Sequence, residues 1–266
     1  MLHIVTVHYR STKWIDPQLD YIARNIGVPH KTYGCIEGID EGAAARFDVV
    51  VPAYGPHAGK LNYLAALVCN EAADDDLLMF IDGDAFPVAD PMPVIEDALR
   101  TSELLAVRRD ENLGDRQPHP CFAVTKVGTW KRLRGDWSKG YPWPIDVAGG
   151  KTVSDVGGNL LYLLESSGTR WTPMLRTNTK NLHPLYFGVY GDVIYHHGAG
   201  FRVAVSRVDV SENPYLRFSE LIRRTWRKRR AKKNQALSDM VFERIVADPG
   251  FYHEICGVGA REHVRS

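Results

Sequence analysis

The sequence predicts an α/β fold, with a mostly parallel sheet flanked by helices and a helical C-terminal extension. Three observations lead there. Short apolar runs alternate with segments whose apolar residues recur at helical spacing, a pattern of parallel strands joined through crossovers. One such run, Leu77-Leu78-Met79-Phe80-Ile81, passes directly into Asp82-Gly83-Asp84, and a run that short and apolar reads as a strand buried on both faces. Towards the C-terminus the strand signals give way to helical periodicity and a dense basic run.

Residues 2–7 are apolar and β-branched and form the first expected strand. Asp16-Pro17 marks a helix start, an N-cap followed by proline at the first helical position. The helix behind it buries Leu19, Ile22, Ala23 and Ile26 and stops at Gly27. Residues 31–36 and 47–51 read as strands, the second closed by Pro52. After a loop over 54–59, Leu61, Leu64, Ala65, Val68 and Ala72 share one helical face. Asp74, Asp75 and Asp76 precede a strand rather than follow one, so they read as a solvated turn.

Past Pro87, a helix over 93–100 and a strand over 104–107 lead to a polar loop at 110–120. A strand over 121–124 and a short helix through Trp130 and Leu133 follow. Residues 135–151 are rich in Gly, Trp, Tyr and Pro, which suits an adaptable binding loop. Residues 152–168 resemble a helix starting near Ser154 or Asp155, with Val156, Leu160, Leu163 and Leu164 as its stripe and Gly168 as its stop. Residues 171–175, 186–189 and 192–195 read as strands, the last running into His196-His197-Gly198. Ser211 is expected to cap a helix that buries Phe218, Leu221, Ile222 and Trp226, and a last helix carries Leu237, Met240, Val241 and Ile245. The expected organisation is one domain over 1–205, with halves 1–90 and 91–205, then a basic helical extension over 211–266.

Bulk properties exclude several classes. With 44% hydrophobic and 24% charged residues, the chain is neither disordered nor fibrous. Cys35, Cys69, Cys121 and Cys256 have no metal-ligand spacing, which argues against zinc and disulfide frameworks and fits a reducing compartment. No segment approaches the roughly 18 apolar residues of a membrane span, and the apolar start is too short for a signal peptide. A soluble, cytoplasmic protein is expected. The net charge of +1 hides residues 223–233, which hold 8 of the 33 Lys and Arg and no acid.

The chemistry centres on Asp82 and Asp84. At a strand's carboxyl end they lie where open α/β sheets bind ligands, and they repel unless a cation or proton sits between them. Mg²⁺ or Mn²⁺ bridging to substrate phosphates satisfies that need, whereas the plain alternative is an Asp-Gly turn.

The run His57-Ala58-Gly59-Lys60-Leu61-Asn62, a helix, a buried strand and Asp82-Gly83-Asp84 together resemble the nucleotide-sugar half of a GT-A glycosyltransferase of the family 2 type. The resemblance implies a Rossmann-like GT-A sheet, a nucleoside diphosphate sugar as donor (a UDP-sugar favoured), Mn²⁺ or Mg²⁺, and a saccharide or lipid-linked acceptor in polysaccharide biosynthesis. It assigns Asp82 to the ribose or metal and Asp84 to the metal. Ser154-Asp155-Val156-Gly157-Gly158-Asn159 is similar to the family's acidic helix start, which makes Asp155 the base of an inverting displacement; the alternative is an N-cap.

A late histidine in such enzymes completes the metal sphere, and strand alternation lets only one of His196 and His197 face it, His196 being favoured. At the end of the first strand, His8 or Tyr9 is placed to stack on the base, and Arg10 and Lys60 to meet the diphosphate. Trp137, Tyr141 and Trp143 form a candidate acceptor platform, with ordinary core packing as the alternative. His57, His119, His183 and His253 have no comparable context.

The 223–233 run reads as a solvated helix face or as a contact with an anionic membrane surface; nucleic acid is disfavoured because no nucleic-acid module accompanies it. Two other functions compete. A sugar-nucleotide-forming nucleotidyltransferase needs a glycine-rich loop after the first strand, and His8-Tyr9-Arg10-Ser11-Thr12-Lys13 has no glycine. A non-catalytic polyanion- or membrane-binding protein would leave Asp82-Gly83-Asp84 as a turn.

Overall fold

The computed structural model describes residues 1–37, 42, 45–52, 55–140, 142–144, 152–201, 205–213, 215 and 220–256. The chain begins β1 (Leu2–Tyr9), α1 (Ile15–Asn25), β2 (His30–Glu37), β3 (Val49–Pro52), α2 (His57–Glu71) and β4 (Leu77–Asp82). There follow β5 (Ala85–Pro87), α3 (Met92–Leu99), β6 (Leu104–Val107), β7 (His119–Lys126), α4 (Val127–Leu133) and the short pair β8 (Trp143–Pro144) and β9 (Thr152–Val153). Then come α5 (Gly158–Ser167), β10 (Trp171–Met174), β11 (Gly188–Tyr190), β12 (Ile194–His196), α6 (Arg207–Ser211), α7 (Glu220–Ala247) and α8 (His253–Cys256).

Seven strands form one sheet in the order β10-β6-β7-β4-β1-β2-β3. Every neighbouring pair is parallel except those made by β7, which runs antiparallel to β4 and β6. The chain winds outwards from β1 in both directions, so the sheet reverses between β1 and β4. That reversal opens the crevice where ligands bind in such sheets.

The central strands are apolar throughout because helices cover both faces. On β1, Leu2 and Ile4 pack on the side of α1 and α3, and Val5 and Val7 on the side of α2 and α4. On β4, Met79 and Ile81 take the first side, and Leu78 and Phe80 the second. Alternation then carries Asp82 to the side of α2. A second, three-stranded sheet β11-β12-β5 pairs His196 with Ala85, one residue past Asp84.

Several local expectations change. Asp16 lies inside the first turn of α1, and Trp14 is the cap residue. Ala23 is exposed, while Gln18 takes a buried place on that helix. Helix α5 starts at Gly158 rather than near Asp155. Gly157 ahead of it has φ 101°, and a Cβ there would lie 2.1 Å from the Pro118 carbonyl oxygen, so the chain turns sharply before the helix can begin.

Ser211 ends a helix instead of capping one. The cap is Ser206, whose hydroxyl and backbone exchange hydrogen bonds with Asp209 in a capping box. The two expected C-terminal helices are one, α7. Leu221 is 74% exposed and Ile222 is also exposed; Phe218 lies outside the described residues. Charges spread around the first half of α7 leave no face that can be buried. Its second half docks through Asn234, Ser238, Val241 and Ile245. Among the described residues, no helix is long and apolar enough to cross a membrane, and all four cysteines are free thiols.

Candidate functional site

Two sheets meet at Asp82 and Asp84. The first ends β4; the second precedes β5, the strand that pairs with β12. The turn between them is held from below by Gln18. Its Nε2 donates to the carbonyls of Asp82 and Ala85, each at 2.7 Å, and its Oε1 accepts from the Thr6 hydroxyl at 3.1 Å. A buried amide thus satisfies the backbone of a turn whose side chains are left free to act.

His196 stands over both acids. Its Nε2 is 3.6 Å from Asp84 Oδ1 and 3.8 Å from Asp82 Oδ2. One ligand atom from each of the three residues fits within 4.8 Å of the others. His197 faces the opposite way, fully buried, with its ring nitrogens 2.9 Å from the Tyr195 hydroxyl and 2.7 Å from the Ser238 hydroxyl. Burial pulls that imidazole down to about 3, so it is a neutral core group tying β12 to α7.

Asp84 is buried, and burial alone would raise its pKa. The His196 imidazole, the nearby His197 and the Gly200 N–H outweigh that and hold it well below the usual carboxylate range. The Gly200 N–H donates to Asp84 Oδ2 at 2.9 Å. A Cβ on residue 200 would lie 2.6 Å from Asp84 Cβ and 2.5 Å from Trp14 Nε1, so the backbone reaches this close only as glycine. Asp82 has a further partner, with His57 Nε2 3.0 Å from its Oδ1. Burial would lower the pKa of His57, but the Asp82 carboxylate reverses this and raises it.

These groups line a cleft of about 550 Å³. Tyr9, Glu37 and Lys60 form one end. Lys60 is buried, salt-bridged to Glu37 and set 5.4 Å from the centre of the Tyr9 ring. Arg10 is mostly exposed, with its guanidinium 5.0 Å from the same ring. His8 is not on this surface. It is fully buried against Gln18 at 2.9 Å, with its pKa drawn down to about 4 by burial, because alternation turns it away from the side that Val7 and Tyr9 share.

Asp155 lines the same cleft, as do Arg109, His119 and Pro120. It is no helix cap. Its Oδ1 accepts from the Val156 N–H at 3.0 Å, and its Oδ2 lies 3.4 Å from Arg207 Nη1. Of the expected aromatic platform, neither Trp137 nor Trp143 lines the cleft. Trp137 is a core residue against Phe80 and Trp130, at ring separations of 5.1 and 5.9 Å. Trp143 is buried as well, and Tyr141 lies outside the described residues. Trp137 packs in the core under the helix layer instead of facing solvent.

The sequence reading sets His57 and His119 aside and gives no role to Glu37, Arg109, Gln18 or Arg207, all of which the structure brings to the cleft or its support. The His119 ring is 5.7 Å from that of His196. His57 had a readable signal, since it stands at the helix start just before Gly59-Lys60, where backbone N–H groups point at the ligand site.

No protein-family model and no curated protein matches the chain. Solved glycosyltransferase structures do show similarity. Mannosyltransferase PcManGT from Pyrobaculum calidifontis, in complex with GDP-Man and Mn²⁺, is 14% identical at a TM-score of 0.42, over 65% of this chain and 54% of that one. TarS of S. aureus, residues 1–349, is 11% identical at a TM-score of 0.40, over 65% of this chain and 57% of that one. The apo form of glycosyltransferase GlyE from Streptococcus pneumoniae TIGR4 is 11% identical at 0.41, over 64% and 44%. The chain thus spans about half the length of these structures.

Proposed function

We propose that this protein is a metal-dependent GT-A glycosyltransferase, moving a sugar from a nucleoside diphosphate donor to a hydroxyl acceptor. The observation that carries this reading is the convergence of Asp82, Asp84 and His196 within 4.8 Å at the reversal point of the sheet. Two carboxylates and one imidazole are the donor set of a hard to borderline divalent ion, Mn²⁺ or Mg²⁺, that also takes phosphate oxygens. Such an ion, when bound, neutralises charge on the leaving diphosphate as a Lewis acid.

The residues of the chain then divide the work. Asp84, fixed by Gly200, and Asp82, fixed by His57, present their oxygens with little freedom left to lose. The start of α2 lines the cleft through Pro56, His57 and Lys60, and the positive end of a helix suits phosphate. Tyr9, Glu37 and Lys60 take the nucleoside end, with the UDP-sugar form of the donor favoured. Asp155 accepts the proton of the acceptor hydroxyl as that oxygen bonds to the anomeric carbon. The bond from that carbon to the diphosphate breaks on the far side, and the configuration inverts. Arg207 holds the outer oxygen of Asp155 in place.

Incubation with a panel of nucleoside diphosphate sugars and Mn²⁺, reading release of nucleoside diphosphate, tests the proposal. One donor class should be turned over by the wild type and not by Asp84→Asn. Equal release by both proteins would refute it.

The first half of α7 supports a peripheral contact with an anionic bilayer. Arg224, Arg227, Lys228, Arg229, Lys232 and Lys233 are all exposed there beside Leu221 and Ile222, and each basic residue near such a surface contributes about 1 kcal/mol. Salt-sensitive co-sedimentation with phosphatidylserine vesicles, absent with phosphatidylcholine alone, is the expected result. Equal recovery with both lipids would count against it.

A further inference from the structure

Arg109 is a buried charge on the cleft wall to which the donor chemistry gives no role. It follows β6 in a turn fixed by backbone bonds, with the Arg108 N–H donating to the Met174 carbonyl at 3.0 Å and the Asn112 N–H to the Arg109 carbonyl at 2.8 Å. The residue is only 5% exposed, yet it lines the cleft beside Asp155 and His119. Its Nε is buried without a hydrogen-bond partner. Among the described residues it makes no salt bridge, although the carboxylates whose charge reaches it are Asp115 and Asp155.

The neighbouring carboxylates favour its charge from a distance, but their hydrogen bonds go to other donors. Asp155 turns one oxygen to Arg207 and the other to the Val156 N–H. Asp115 accepts from the Gln117 N–H at 3.1 Å and from Asn112 Nδ2 at 3.3 Å. The Tyr190 hydroxyl donates to Glu111 at 2.6 Å. A buried donor left without an acceptor is unfavourable, and a guanidinium on a cleft wall fits a carboxylate or phosphate through paired hydrogen bonds. The diphosphate of a donor is provided for at Asp82, Asp84 and His196, so the anion at Arg109 is a different one.

We propose that Arg109 binds an anionic substituent, a carboxylate or phosphate, on the sugar that enters the cleft beside Asp155. This rests on the glycosyltransferase reading, and it narrows the acceptor to a charged saccharide. The anion anchors the acceptor at a fixed distance from Asp155, so Arg109 selects which hydroxyl is presented.

The test is a thermal-shift comparison of wild type, Arg109→Met and Arg109→Lys in EDTA, with D-glucose, D-glucuronate and D-glucose 6-phosphate as probes. At least one anionic sugar should raise the wild-type Tm by several degrees more than glucose does. That gain should vanish in Arg109→Met and partly return in Arg109→Lys. The responding probe tells carboxylate from phosphate. Anionic sugars that act like glucose on the wild type, or that act equally on Arg109→Met, overturn the proposal. A parallel arm with Mn²⁺ and a nucleoside diphosphate reports on the donor site alone; its failure in the wild type would sink the glycosyltransferase reading itself.

Discussion

Nε2 of His57, the first residue of α2, stands 3.0 Å from Oδ1 of Asp82, the last residue of β4. The other Asp82 oxygen is 3.8 Å from His196. The carboxylate therefore has a histidine at each oxygen, and both rings line the cleft. Residues that orient a metal ligand in this way are worth about 10–100-fold in metal affinity. His57→Ala should weaken Mn²⁺ binding by about that factor, read by electron paramagnetic resonance of the free ion in the presence of nucleoside diphosphate. Unaltered Mn²⁺ affinity would show that His57 is only a neighbour.

Gly200 leads to a stability prediction as well as a binding one. With a Cβ placed 2.6 Å from that of Asp84, Gly200→Ala must shift either the backbone or the carboxylate. Overpacking of this kind costs about 1–3 kcal/mol. A lowered Tm and a weakened Mn²⁺ response are expected together. A variant as stable as wild type with full Mn²⁺ affinity would show that the turn yields more easily than the geometry implies.

Asp155 separates chemistry from binding. Loss of a general base costs about 10²–10⁴-fold in rate, so Asp155→Asn should lose that much transfer while keeping its affinity for donor. Arg207→Gln should cost less, because it frees one Asp155 oxygen without removing the proton acceptor. Initial rates and donor titrations on both variants decide this. Full activity in Asp155→Asn would end its assignment as base.

Asp115 makes stability depend on pH. Burial pushes its carboxyl up to about 6, even though Arg109, the Gln117 N–H and Asn112 oppose the rise. In the unfolded chain it titrates at about 3.9. Between those values the folded state binds more protons, so this group's contribution is best below about pH 4 and is lost as pH climbs to about 6. Asp115→Asn should therefore gain about 1–3 kcal/mol at pH 7 and nothing near pH 4. Denaturant titrations across that range measure the gain, which must grow with pH; a constant offset would contradict it.

Much of the sheet was legible because its signal is local. Apolar runs such as 77–81 need only their own residues to show a strand, and strand alternation at His196 and His197 distinguishes the two rings before any contact is known. What stayed hidden depends on distant pairing. The antiparallel insertion of β7 is set by its partners, since its composition matches that of a parallel strand. Trp137 carries the same aromatic signal whether it faces a sugar or Phe80. His57 meets Asp82 only because α2 and β4 pack side by side, and Gln18 looks like a surface glutamine until the turn at Asp82 folds over it. Arg109 could not be singled out in sequence, as burial without a partner exists only in the assembled cleft.

The central claim is that Asp82, Asp84 and His196 jointly hold a divalent ion and a nucleoside diphosphate. Its most direct measurement is the thermal shift of wild type and Asp84→Asn with UDP or GDP, each with and without Mn²⁺. The account predicts a rise in wild-type Tm that needs both metal and nucleotide, and its loss in Asp84→Asn. A wild type that responds to neither combination, or a variant that responds as fully as wild type, would contradict it.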